Sequence, residues 1–218
     1  MFREFLKPAL EQWELSLTEL QAEQLEAYAQ AVLDYGKKTN LTSAKNKSQI
    51  LRPHLLDGLA CLPVLKSIFA GRAEFRLADV GAGAGFVGIT LKISQPQMHL
   101  TLVESACRKF QFLSNVVAEL KLPGCRVLWK RAEDLRPPDA DFDAVVERAL
   151  SPLPRAMDTC APLLRPEGFF LAYQSKLTLE AIPELQRHGK LLELKEIKNY
   201  AFPGGGTSRQ LLVFQKRI

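Results

Sequence analysis

Asp79-Val-Gly-Ala-Gly-Ala-Gly-Phe-Val-Gly88 is the segment of this 218-residue chain best equipped for chemistry. It follows a short apolar run, Phe75 to Val80, and opens a helical pattern. Glycines there let the backbone turn sharply and let a ligand approach main-chain N–H groups. At the carboxyl end of a strand in an α/β sheet, such a turn lies where ligands bind. Two readings compete. Gly83, Gly85 and Gly88 fit G-x-G-x-x-G, the dinucleotide fingerprint, with Glu104 placed 21 residues after Gly83 as a ribose-binding acid would be. Asp79, Gly81, Gly83 and Gly85 instead fit acid-x-Gly-x-Gly-x-Gly, the S-adenosylmethionine (SAM) loop of Rossmann-like methyltransferases. A carboxylate two residues before the first glycine suits a ligand with an ammonium group and is odd beside a pyrophosphate. On the SAM reading, Glu104 accepts both ribose hydroxyls.

Two further groups stand at the ends of later strands. Lys130-Arg-Ala-Glu-Asp134 would border the adenine, with Ala132 offering a backbone contact and Glu133 or Asp134 an acceptor for the amino group. Glu147-Arg148 closes the fourth strand, at the reaction cleft of this architecture, and reads as a functional charged pair. The [Asp/Asn]-Pro-Pro-aromatic turn of enzymes acting on exocyclic base amines is missing, since this place holds Glu147-Arg-Ala-Leu-Ser-Pro152. No cysteine follows a proline, so the nucleophile of pyrimidine C5 enzymes is missing too. Guanine N7 is compatible with what remains. Its in-plane lone pair carries no proton, so attack needs positioning and electrostatics rather than a general base.

Elements that would position these residues follow from periodicity. Leu10 to Tyr35 recur at three- to four-residue steps and predict one helix over 9–35, with Gly36 just past its end. A basic loop, 37–47, and a second helical stretch, 48–69, follow. Five short strands from Phe75 to Tyr173 then alternate with helical patterns at 86–95, 107–121, 152–164 and 178–187, which predicts a mostly parallel sheet covered on both faces. Two last strand-like runs, 190–199 and 210–216, joined through Phe202-Pro-Gly-Gly-Gly206, predict an antiparallel edge. The fold expected is a Rossmann-like α/β unit of seven strands, residues 71–218, preceded by a helical extension, 1–70, packed on it.

Composition excludes several classes. Hydrophobic residues are 47% of the chain, and no apolar run nears the roughly 20 residues that span a bilayer. Met1 to Leu20 is acidic and amphipathic, so no secretory signal is expected. Cys61, Cys107, Cys125 and Cys160 form no C-x-x-C pair and read as reduced, buried thiols of a cytoplasmic protein. With His54, His99 and His188 widely spaced, no metal site is expected. The net charge is +5, but it is segregated: residues 1–35 hold two basic and seven acidic groups, 36–56 five basic and none acidic, and 186–218 seven basic and two acidic. That pattern points to a polyanionic partner.

Read in order, Asn40-Leu-Thr42, His54-Leu-Leu-Asp57, the 79–85 loop, Arg131-Ala-Glu133, Arg148-Ala149, Gln174-Ser-Lys176 and Arg209 resemble one family over nearly the whole chain. It is the bacterial small-subunit rRNA (guanine-N7) methyltransferases, also called the glucose-inhibited division protein B family. The resemblance implies a cytoplasmic enzyme that moves a methyl group from SAM to N7 of a guanine in the decoding-region loop of 16S rRNA, acting on the rRNA or the small ribosomal subunit. It implies SAM contacts at Gly81, Phe86, Ala132, Glu133 and Arg148, beside Asp79, Gly83 and Glu104 of the general loop. Guanine positioning would fall to Arg148, Asn40 and His54, and RNA contact to Lys45, Lys47, Lys176 and Arg209. His54 and Asp57 also read as a hydrogen-bonded helix-packing pair. The chain departs from the family pattern at Ala84, Val87 and Glu147, and a monomer is expected. A SAM-dependent enzyme for a small molecule or protein, and a non-catalytic dinucleotide-binding module, are the alternatives.

Overall fold

The apolar runs do become strands: β1 (Arg76–Val80), β2 (His99–Glu104), β3 (Cys125–Trp129), β4 (Phe142–Arg148), β5 (Leu164–Gln174), β6 (Leu192–Tyr200) and β7 (Arg209–Lys216). The computed structural model describes residues 2–36, 41, 46–50, 54–72, 74–175, 185, 190–205 and 208–218, with the side chain of Lys47 left out. All seven strands join one sheet in the order β3-β2-β1-β4-β5-β7-β6. β1 pairs in parallel with β2 and β4, β2 with β3, and β4 with β5, while β7 runs antiparallel to both β5 and β6. The antiparallel strand is therefore inserted one place inside the edge, and β6 runs with the parallel set. The chain steps outward from β1 to β3 and then jumps back to β4, so the topological switch point lies between the ends of β1 and β4.

Helices α1 (Phe2–Gln12), α2 (Glu19–Gly36), α3 (Lys47–Ile50) and α4 (Leu56–Ile68) precede the sheet, and α5 (Gly88–Ser94), α6 (Cys107–Glu119) and α7 (Leu153–Cys160) follow β1, β2 and β4. Alternation along the strands divides the core. Leu77, Leu102, Ala144 and Val146 join a cluster with Leu25, Leu59, Ile89 and Phe112 on one face. Ala78, Val80, Val103 and Val145 join Met157, Phe170 and Phe214 on the other. The first face carries the N-terminal helices with α5 and α6, and the second carries α7. The pattern expected at 178–187 lies outside the described residues except for Leu185, which packs in the second cluster.

The single helix expected over 9–35 is two. Glu14 takes φ 52, and Thr18 restarts the chain as a capping box, with Gln21 N–H donating to Thr18 Oγ1 (3.2 Å) and Thr18 N–H donating to Gln21 Oε1 (2.8 Å). The T-x-x-Q spacing was in the sequence; the uninterrupted leucine periodicity obscured it. Pro162 shortens the helix expected over 152–164: α7 ends at Cys160 and a single 3-10 turn, Ala161–Leu163, leads into β5. Of the four free thiols, Cys61 and Cys160 are buried, but Cys107 is exposed at the start of α6. α2 is tied to the sheet layer through its glutamines. Gln21 Nε2 donates to the carbonyls of Ile93 (2.9 Å) and Ser94 (3.2 Å), and Gln24 Nε2 to that of Leu120 (3.1 Å). These are carbonyls at helix ends, which lack an intrahelical partner.

Candidate active site

The glycine turn leaves β1 at the switch point. Gly81 (φ +69), Gly83 (φ +61) and Gly85 (φ +82) are left-handed, a region closed to most side chains. Asp79 lies beneath the turn, 3% exposed, and its Oδ2 accepts the Gly88 N–H at 2.8 Å. Burial pushes its carboxyl up to about 6, against the Gly88 N–H and Arg148, which favour the ionised form, and with Glu104, which opposes it. Glu104, at the end of β2, accepts Gly83 N–H at Oε2 (2.9 Å) and Ala106 N–H at Oε1 (2.7 Å). Each oxygen keeps a second lone pair. From the other side, Tyr28 of α2 donates to the Ala84 carbonyl at 2.6 Å.

Beside the turn is a cavity of about 270 Å³ with Val80, Gly81, Val103, Ala132 and Leu150 as apolar wall and Lys130, Arg131, Glu133, Ser105 and Arg155 as polar rim. Leu150 packs so close to Gly81 that a Cβ there would meet Leu150 Cδ1 at 2.6 Å. The turn carrying Leu150 is held by Glu147, whose Oε2 accepts the Leu150 N–H at 3.0 Å. Glu147 is fully buried, its Oε1 has no partner, and burial pushes its carboxyl up to about 7, with Leu150 N–H lowering it and Asp79 raising it further.

Across the strand ends from this cavity is a second assembly, centred on Asp57 of α4. Asp57 is 0% exposed. Its Oδ2 accepts from Arg148 Nη1 (2.9 Å) and Arg209 Nη1 (2.7 Å), and its Oδ1 from Tyr200 Oη (2.7 Å). Its backbone carbonyl accepts from Tyr173 Oη at 2.8 Å. Burial raises the Asp57 pKa, while Tyr200, Arg148 and Arg209 lower it. Arg148 Nη2 meets His54 Nδ1 at 3.1 Å. A guanidinium only donates, so Nδ1 is the acceptor and the neutral ring carries its proton on Nε2. His54 stacks on Phe86 (4.1 Å, 7°), and the Arg148 guanidinium lies 5.4 Å from the centre of the same ring. Sheet register explains the convergence: Arg148 pairs with Tyr173 across β4 and β5, and Tyr200 with Arg209 across β6 and β7.

The geometry brings some of the expected residues together and separates others. Gly81, Ala132 and Glu133 line the cavity with Lys130 and Arg131, while Gly83 and Glu104 are bonded to each other at its edge. Phe86, Arg148, His54 and Arg209 belong to the Asp57 assembly. Glu147 and Arg148 do not pair; adjacent strand residues point to opposite faces, and Glu147 sits on the α7 side. His54 and Asp57 are not bonded to each other either, because Arg148 stands between them. Asn40, Lys45, Lys176 and the Lys47 side chain lie outside the described residues. Sequence reasoning missed Tyr200, Tyr173, Leu150 and Arg155, none of which sits in a motif. Among the described residues no group of three or more His, Cys, Asp or Glu side chains could hold a metal, and no helix is long and apolar enough to cross a membrane.

The family model described as GidB, rRNA small subunit methyltransferase G, matches residues 21–213. The chain belongs to this family. Ribosomal RNA small subunit methyltransferase G of Desulfitobacterium hafniense (strain Y51) is 35% identical over 201 residues, covering 90% of this chain and 81% of its own. The protein of the same name from Aromatoleum aromaticum is 34% identical, with 97% of each chain covered. Among solved structures, TYW2 of M. jannaschii in complex with AdoMet superposes with a TM-score of 0.54 at 14% identity, covering 71% of this chain and 74% of that one. Precorrin-6y C5,15-methyltransferase of Geobacter metallireducens does so at 0.51 and 18%, over 71% and 86%. These two share the fold. GidB membership selects the SAM reading of the glycine turn over the dinucleotide one.

Proposed function

We propose that the chain transfers the methyl group of SAM to N7 of a guanine in 16S rRNA. Besides the family, one observation carries the reading: the cavity behind the glycine turn and the two-arginine assembly on Asp57 flank the same strand ends. The residues present fit the cofactor. Val80, Val103 and Leu150 give the cavity apolar walls for an adenine ring, and Glu133 an acceptor for its amino group. Glu104 retains acceptor capacity for ribose hydroxyls. Asp79, Gly81, Gly83, Phe86, Glu104, Ala132, Glu133 and Arg148 are the residues that would hold it. When bound, it supplies a methyl group on a positively charged sulfur.

The chain's own work is then orientation and charge. Guanine N7 has no proton to lose, so none of the buried acids need act as a base. Arg148 and Arg209 can bind guanine O6 or a neighbouring phosphate. Asp57 leaves that assembly with one net positive charge rather than two. This attracts RNA while limiting repulsion of the cationic product. His54, stacked on Phe86, fixes Arg148 from behind. Asn40, Lys45, Lys47 and Lys176 complete the proposed RNA contacts. The same proposal takes the 1–70 extension and the 71–218 core as one unit, acting as a cytoplasmic monomer. Tyr28, Gln21 and Gln24, which bond residues 84, 93, 94 and 120, support the single unit.

The test is transfer of tritiated methyl from SAM to 16S rRNA, offered naked and as small subunits from cells lacking the enzyme, with mapping of the product. Label at a guanine N7 is expected. Label confined to small molecules or protein, or none, would overturn the reading.

A further inference from the structure

Trp129 ends the edge strand β3 and is 57% exposed, an unusual place for the largest side chain. It is nonetheless fixed. Its indole N–H donates to the Ser105 carbonyl at 2.9 Å, and its ring stacks on Phe110 of α6 (5.9 Å between centres, 18° between planes). Its surroundings are mostly basic: segments 105–113 and 124–131 contain Arg108, Lys109, Arg126, Lys130 and Arg131, while of the nearby acids Glu104, its sheet neighbour, is buried on main-chain N–H groups and Glu133 and Asp134 are exposed beyond Arg131. Asp139 holds Arg126 (3.0 Å) and Lys130 (2.8 Å). Arg108, Lys109 and Arg131 have no ion pair among the described residues. The location matters as well, because Ser105, Lys130 and Arg131 also line the cofactor cavity.

We infer that Trp129 is a stacking platform for an unpaired base of the RNA substrate, with Arg108 and Lys109 on the adjoining phosphates. Every base has a π-face, and an aromatic ring set among cations is the arrangement that binds single-stranded nucleic acid. Because the ring is already immobilised, little side-chain entropy is lost on binding. A protein partner is the poorer fit. An apolar partner would find a basic rim, and strand addition to β3 would find charged Arg126 and Lys130 on the edge. The inference rests on the RNA reading proposed above, and it adds a contact at the adenine end of the cavity, away from the Asp57 assembly.

The experiment uses the full chain and an unmodified 16S rRNA transcript. The protein has two tryptophans, so Trp13→Phe leaves Trp129 as the only one, and its fluorescence reports stacking directly. Quenching on titration with the transcript, but not with SAM alone, is expected. Trp129→Ala should raise KM for rRNA about ten-fold, as loss of one stacked base would. KM for SAM and kcat at saturating RNA should stay within about two-fold, and Trp129→Phe should recover most of the loss. Arg108→Glu with Lys109→Glu should raise KM for rRNA and flatten its salt dependence by about one to two contacts. If Trp129 emission is unchanged by RNA, or if Trp129→Ala raises KM for SAM and leaves KM for rRNA alone, the platform is refuted and Trp129 is a wall of the cofactor cavity. Quenching by the transcript in a protein that methylates neither the transcript nor small subunits would support the platform and overturn the proposed reaction, so the two can fail separately.

Discussion

Replacing Asp57 by Asn tests whether one buried carboxylate organises the two arginines. The asparagine keeps the shape and one acceptor oxygen for Tyr200. It removes the charge and turns an N–H pair toward guanidinium groups that can only donate. Two charge-assisted hydrogen bonds, at 2.9 and 2.7 Å, are lost or weakened. At about 1.5–3 kcal/mol each they would be worth roughly 3–6 kcal/mol. Two effects reduce that figure. Burial already raises the Asp57 pKa, so removing the charge removes a desolvation cost. Arg148 and Arg209 are 21% and 33% exposed, so water replaces part of what they lose. A net loss of about 2 kcal/mol is expected, read as a lower urea midpoint at unchanged slope. The same difference applied to positioning lowers kcat/KM for rRNA about 30-fold. The SAM dissociation constant, by calorimetry, should move less than about three-fold, because Arg148 is the one proposed cofactor residue bonded to Asp57 and the cavity itself lies across the strand ends. Activity and stability within two-fold of the unaltered protein would refute the organising role of Asp57. A SAM constant that rises in step with the fall in kcat/KM would show that Arg148 acts through the cofactor alone and has no role on the acceptor.

Gly88→Ala puts a Cβ 2.7 Å from Leu102 Cδ2 and 2.8 Å from Asp79 Oδ2; it should cost about 1–3 kcal/mol and weaken SAM binding measurably by calorimetry, since Asp79 must leave the Gly88 N–H. Tyr28→Phe strands the buried Ala84 carbonyl and should cost about 1–2 kcal/mol in urea unfolding. Glu147 titrates near 7 in the folded chain, above its ordinary 4.5, so the folded state holds its proton more tightly and that stabilisation fades as pH rises between the two values. Relative to Glu147→Gln, which keeps an acceptor for Leu150 N–H, the unaltered protein should therefore lose up to about 3 kcal/mol from pH 4.5 to 7; a flat difference would show that burial leaves Glu147 at its ordinary value.

The glycine turn, the alternation of strands and helices and part of the cavity rim were legible because each is local: a Gly run after an apolar run, an acid at the next strand end, a charged loop at the third. The Asp57 assembly was not. Its members come from positions 54–57, 86, 148, 173, 200 and 209, and only the register of β6 on β7 brings Tyr200 beside Arg209. Glu147 and Arg148 misled for a simpler reason. Adjacent in sequence, they look like a pair, yet β4 runs through Arg148 and strand alternation sends the two side chains to opposite faces. Trp129 falls in an ordinary strand pattern, and nothing local says that its strand is the outermost one, where a large aromatic has no second neighbour to cover it.

The net charge of +5 understates how basic the surface is, because burial sorts the charges. Among the described residues, the buried charged side chains are five carboxylates, of Asp57, Asp79, Glu104, Asp143 and Glu147, and one ammonium, of Lys92. Concealing more negative than positive charge leaves the exposed surface with a larger positive excess than the sequence shows. Four of the five acids gather at the ligand-binding end of the sheet, where each holds a main-chain N–H or an arginine. The acids that shape the site are thus withdrawn from the field a phosphate backbone would meet, and the arginines they orient stay partly in it. For an RNA substrate this predicts affinity that falls with salt although few basic residues touch the reacting base. It also explains why the charge pattern along the sequence pointed to a polyanion while the residues that organise the site are mostly acids.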